Sequence, residues 1–65
     1  LVNESGESDF SIVHPGVVCD GCGMSPIQGP RFKSATKRNY DLCAVCEQLA
    51  TGDVFLKIKR PQDAP

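Results

Sequence analysis

Tryptophan is absent from this 65-residue chain, and three Phe and one Tyr supply all of its other aromatic rings apart from a single histidine. At this length folding buries only roughly 60% of the surface that the unfolded chain exposes. With so few large apolar side chains a hydrophobic core alone does not hold the domain, and a staple is needed. A surplus of charge is missing too. The formal net charge is −1, which points to neither nucleic acid nor an anionic membrane as a partner. No apolar run approaches the ~20 residues that span a bilayer, and nothing resembles a signal sequence. The chain starts at Leu1 with a polar, acidic lead-in, "LVNESGESD", so the expectation is a segment of a longer protein whose function is that of a module.

The organisation of what remains is simple. Residues 1–11, rich in Ser, Glu, Asn and Gly, offer too little apolar surface to offset the entropy of ordering and read as a flexible acidic linker. "PQDAP", residues 61–65, opens and closes with proline and reads as a flexible tail. One domain is left, residues 12–60. Within it "PRFKSA" alternates, with Phe32 on one face and Arg31 and Lys33 on the other, as a half-buried strand does. "RNYDL" alternates as well, Tyr40 and Leu42 sharing a face. Between them Thr36, Lys37 and Arg38 suit a hairpin connection, although an Asn-Gly type of turn signal is absent. Leu42, Val45, Cys46 and Leu49 fall at i, i+3, i+4 and i+7, the stripe of a short helix, and Gly52 lies where a helix commonly stops. "VFLKIK" reads as a closing strand with Leu56 and Ile58 inward and Lys57 and Lys59 outward. Phe55 is out of phase with them and is expected to be exposed for contact with a partner.

The staple is cysteine. Cys19, Cys22, Cys43 and Cys46 make Cys-x2-Cys-x20-Cys-x2-Cys, the spacing of a zinc site built from two knuckles. A two-residue gap lets both thiolates of a pair turn toward one ion, and four thiolates close the tetrahedral shell of a structural zinc. Two disulfides would need an oxidising compartment, for which the sequence gives no sign, and a redox reading of one pair leaves the other unexplained. Closed coordination also argues against hydrolysis at the metal, which needs an open position. The one histidine, His14, reads as a packed ring rather than as a base, since no Ser, Cys or Asp partner is free to make a nucleophile pair with it. No enzyme is expected.

At this point a family becomes recognisable. "HPGVVCDGCGMSPIQGPRFKS" and "NYDLCAVCE" resemble a ZZ-type zinc finger from His14 to Glu47, with a weaker continuation through "VFLKIKRP". The combination of "CDGC", "PIQGPRFK" and "YDLC" is most similar to the fingers of sequestosome-type selective-autophagy cargo receptors. The resemblance implies a small zinc-stabilised α+β fold, a short three-stranded antiparallel sheet with one short helix, in agreement with the periodicity. Most members of the family hold a second zinc with a further Cys-x2-Cys pair and two histidines. Here Ser34 and Lys37 stand where that pair would fall, and no histidine follows His14. One zinc is therefore expected, with Lys37 and Asp53 converging as a partial ionic substitute for the other.

The resemblance also assigns a ligand site. In sequestosome-type fingers the residues matching Asp20, Asn39 and Asp41 form an acidic pocket that takes the free amino group of a peptide, with a preference for an N-terminal arginine. Asn39 replaces an acid there and should weaken the grip on a guanidinium. A structural role stands beside this for each carboxylate: Asp20 as an acceptor for backbone N–H groups in its turn, Asp41 as a cap for the helix. The basic residues Arg31, Lys33, Lys37, Arg38, Lys57, Lys59 and Arg60 could form a basic face that binds a folded cargo, but read more readily as solvated outward positions. The function expected is a non-enzymatic module that recognises protein N-termini of the N-degron kind, or cargo proteins, in a cytoplasmic autophagy receptor. Reading of a histone-tail N-terminus in a chromatin protein, or a purely structural zinc module, are the alternatives. Neither nucleic acid nor membrane is an expected partner, and the isolated domain is expected to be a monomer.

Overall fold

The structure is a computed structural model, and it describes residues 11–65. The linker expected over residues 1–11 therefore lies, apart from Ser11, outside the described residues. Strand β1 (Val13–His14) pairs antiparallel with β2 (Ile27–Gln28), a two-residue ribbon that the sequence reading did not anticipate. Strands β3 (Arg31–Ser34), β4 (Asp41–Leu42) and β5 (Phe55–Ile58) form the antiparallel sheet, in the order β4-β3-β5. Helix α1 spans Ala44–Leu49. No helix among the described residues is long and apolar enough to cross a membrane. Residues 61–63, read from sequence as part of a flexible tail, make one turn of 3-10 helix, with Arg60 Nε donating to Asp63 Oδ2 at 3.2 Å.

The register sets what each face of the sheet carries. Phe32 lies opposite Leu42 and Lys57, Ser34 opposite Phe55, and Lys33 opposite Asp41 and Leu56. Side chains directly across a ladder share a face, so Phe32, Leu42 and Phe55 look to one side and Arg31, Lys33, Asp41 and Leu56 to the other. The first side meets the cysteines. Cys19, Ile27, Leu42 and Cys43 are buried as one cluster, and Val17, Phe32, Tyr40, Cys46, Ala50 and Phe55 pack around it. This corrects the phase expected for β5. Leu56 is 49% exposed, whereas Phe55 packs on the cluster with its ring centroid 6.4 Å from that of Tyr40. Ile58 is buried as expected, but on the face of Leu56.

The helix differs from expectation as well. Leu42 belongs to β4, the cap residue is Cys43 with no side-chain cap bond, and Val45 and Leu49 are exposed. Six residues are too few to hold a helix by propensity, and its ties to the interior run through Cys43, Cys46 and Ala50. Asp41, expected as a possible cap, accepts instead from Arg31.

The hairpin between β3 and β4 closes with Ser34 N–H donating to Tyr40 O at 2.9 Å. Its missing Gly is supplied by Asn39, which sits at φ 55°, a left-handed conformation that Asn tolerates better than most residues.

Candidate metal centre and its acidic flank

Two backbone corners bring the four thiols together. In the first, Gly23 N–H donates to Cys19 O and Cys19 N–H to Met24 O, both at 2.9 Å. The second is the step from β4 into α1. All four Sγ atoms lie within 4.8 Å of one another, with Cys22 Sγ and Cys43 Sγ 3.8 Å apart. A tetrahedral ion bound to sulfur at about 2.3 Å requires S···S edges of about 3.8 Å. A disulfide would require about 2.05 Å, and none of the four cysteines is in one.

The surroundings suit thiolates. Cys19 Sγ accepts backbone N–H groups from Gly21 at 3.3 Å, Cys22 at 3.4 Å and Cys43 at 3.3 Å. Burial pushes the Cys19 thiol up, yet these N–H donors and the Cys46 thiol outweigh it and hold Cys19 at about 6. Hydrogen bonding to Cys19 and then burial push Cys46 up to about 12. A bare cluster thus ionises at one sulfur and resists at another, and a dication is what reconciles four thiolates in so small a volume. His14 takes no part. Its ring is 1% exposed on β1, away from the sulfurs, with neither nitrogen hydrogen-bonded among the described residues.

Asp20 and Asp41 are brought together through the backbone. The outer edge of β4 is taken by the first corner: Asp20 N–H donates to Asp41 O at 2.7 Å, and Asp41 N–H donates to Asp20 Oδ2 at 2.8 Å. The Asp20 residue is exposed, and its Oδ1 has no partner among the described residues. The Asp41 carboxylate is in a different state. Its side chain is 12% exposed, and Arg31 Nε donates to its Oδ1 at 2.9 Å. That pair was not read from the sequence, because it depends on the strand register that sets Asp41 opposite Lys33, two residues along from Arg31 on the same face. Asn39 stays in the hairpin turn, exposed. Beside Asp20 a groove of about 270 Å³ is lined by Gly21, Tyr40, Leu42, Cys46, Leu49 and Ala50. Its apolar walls adjoin the three positions singled out in sequence, and neither Leu49 nor Tyr40 had been connected with them.

Where the family resemblance would set a second Cys-x2-Cys pair, Ser34 and Lys37 close a turn. Ser34 Oγ accepts N–H groups from Lys37 at 2.8 Å and Thr36 at 3.2 Å. These are the positions i+3 and i+2, the pattern that Cys19 Sγ shows toward Cys22 and Gly21. Lys37 Nζ lies 3.8 Å from Asp53 Oδ2, the convergence expected from sequence, and 4.9 Å from the centre of the Tyr40 ring.

Comparison with known proteins agrees with this geometry. The family model "Zinc finger, ZZ type" matches residues 13–55, and the chain belongs to that family, with its four cysteines placed for one zinc ion. It is 46% identical over 56 residues to Protein JOKA2 of Solanum tuberosum, a match covering 85% of the chain. To Protein NBR1 homolog of Arabidopsis thaliana it is 54% identical over 39 residues, 60% of the chain. In each case it spans 6% of the relative's length. Among solved structures, the HERC2 ZZ domain in complex with SUMO1 tail superposes with a TM-score of 0.79 at 38% identity, covering 85% of this chain and all of that one. The same domain in complex with histone H3 tail gives 0.69 at 39%, covering 74% of this chain and 91% of that one.

Proposed function

We propose that the domain is a non-enzymatic reader of protein N-termini, and that the free α-amine of a peptide binds at Asp20. The observation that carries this reading is the carboxylate of the exposed residue Asp20, fixed through Oδ2 by Asp41 N–H at 2.8 Å, beside an apolar groove able to take a first side chain. An ammonium group donates up to three hydrogen bonds, and bonds between charged partners are roughly twice as strong as neutral ones. Asp20 is the principal acceptor. Asp41 contributes less, because Arg31 already balances its charge. Asn39 offers a neutral amide at the rim, which lowers the advantage of arginine over a small first residue.

Support comes from the HERC2 ZZ domain, crystallised with tail peptides. The likeness to JOKA2 and the NBR1 homolog, with the sequestosome-type pattern of "CDGC" and "YDLC", favours a selective-autophagy receptor as the longer protein. A four-thiolate zinc site is at home in a reducing compartment such as the cytoplasm. The histone H3 complex keeps a second reading open, a reader of histone-tail N-termini, which would use the same pocket.

Calorimetric titration of the zinc-loaded domain with peptides beginning in free Arg, free Ala and acetylated Arg tests the proposal. Heat from both free amines, absent after acetylation and in Asp20→Ala, is the expected result. Heat that survives acetylation, or no heat from any peptide, contradicts it.

A further inference from the structure

Lys33 of β3 and the turn that follows it gather a group of cations around one groove. The described residues hold all seven Lys and Arg residues of the chain and five of its eight Asp and Glu residues. Three of those five carboxylates are engaged by Arg31, Lys37 and Arg60, while Lys33 and Arg38 have no ion pair among the described residues. Lys33, Lys37 and Arg38 line an open groove of about 530 Å³ together with Leu56. Leu56 stands opposite Lys33 in the ladder and is 49% exposed, and Val54, just before β5, is 64% exposed. Lys33 and Leu56 reach this groove from the face of the sheet that Phe32, Leu42 and Phe55 do not take.

Apolar surface enclosed by cations of one sign suits an amphipathic anion. Single-stranded nucleic acid is a poorer fit, since its bases need aromatic platforms and the groove has none. We propose that the groove is a second docking surface, for an acidic segment of a partner protein that seats one large apolar side chain on Leu56 between carboxylates facing Lys33, Lys37 and Arg38. Such a segment needs no free amine, so the two surfaces can be occupied by different parts of one partner or by different partners. The proposal stands independently of amine binding at Asp20.

The test is fluorescence anisotropy with the zinc-loaded chain and a labelled peptide, acetyl-Glu-Asp-Leu-Glu-Glu-amide, whose blocked amine excludes the Asp20 site. At physiological salt, saturable binding is expected, weakened at least about tenfold by joint Lys33→Glu and Arg38→Glu. Leu56→Ser, or Ser for Leu in the peptide, should each weaken it about threefold or more at unchanged charge. Asp20→Ala should leave it unaltered. Should the reversed charges unfold the hairpin, the pair Lys33→Ala and Arg38→Ala carries the same comparison. Absence of saturable binding, or binding indifferent to both leucine changes, overturns the proposal. So does an oligouridine that binds more tightly than the peptide and displaces it.

Discussion

Gly21 leaves no room for a side chain. A Cβ there would lie 2.8 Å from Cys46 Sγ, 3.0 Å from Cys46 Cβ and 3.2 Å from Leu42 Cδ2. Cys46 Sγ is a metal ligand and cannot swing aside. Gly21→Ala should therefore lower zinc affinity about 10- to 100-fold, the range seen when groups supporting metal ligands are altered. Competition with a chromophoric chelator measures it, and unchanged affinity would show that the corner relaxes freely. His14 supplies a second prediction. Burial, with Arg31 acting in the same direction, holds its pKa below the ordinary 6.5, against a smaller pull from Asp41 and from the Gly29 backbone, with which it makes no well-formed hydrogen bond. As pH falls, the unfolded chain takes up this proton first. The stability that His14 contributes is present in full above about 6.5 and is lost as pH falls through the lowered folded value. His14→Phe, which removes two unpaired buried nitrogens, should be neutral or stabilising at pH 7. It should also flatten the fall in stability from pH 6.5 to 5 in urea unfolding with zinc in excess; parallel pH curves would contradict this. The four cysteines were legible because thiolate chemistry and fixed spacing determine each other. The Arg31–Asp41 pair was hidden because no local pattern encodes which residues of two separate strands meet.

At the scale of elements, the hairpin turn rests on a side-chain acceptor rather than on an ion pair. Ser34 Oγ holds two N–H groups inside the turn, and Ser34 is 7% exposed. The Lys37–Asp53 pair is 3.8 Å long and half in solvent. Each of the two hydrogen bonds lost contributes about 0.5–1.5 kcal/mol, whereas an exposed ion pair contributes about 0–1 kcal/mol. Ser34→Ala should thus destabilise the domain more than Asp53→Ala. A double-mutant cycle of Lys37→Ala and Asp53→Ala should show coupling below about 1 kcal/mol; chemical denaturation gives both, and the reverse order would make the ion pair the substitute for the metal. The strands β3 and β4 were readable from alternation. The stripe Leu42, Val45, Cys46 and Leu49 misled because α1 has only six residues, held by its sulfur ligands instead of by an apolar face. Strand β5 was read one residue out of phase: "VFLKI" offers apolar residues on both faces, and the ladder with β3 decides between Phe55 and Leu56.

At the scale of the molecule, the interior is organised around the metal. Of the five buried hydrophobic residues among the described ones, two are the ligands Cys19 and Cys43. Structural zinc contributes about 10–16 kcal/mol near neutral pH, comparable to or greater than the stability of a whole domain. Native mass spectrometry should find one zinc per chain, and a chelator should collapse the amide proton dispersion of the sheet; a second zinc, or a dispersed spectrum without metal, would contradict this. The family and the metal set could be read from sequence, whereas the groove that Lys33, Lys37, Arg38 and Leu56 line together required the fold. The most direct measurement of the central claim is a titration of the isotope-labelled, zinc-loaded domain with a free-amine peptide, following every backbone amide. The account predicts shifts gathered at Asp20, Gly21, Tyr40, Asp41 and Leu42, absent when the peptide is acetylated. Shifts centred elsewhere, or identical shifts from the acetylated peptide, would show that the domain does not read N-termini at Asp20.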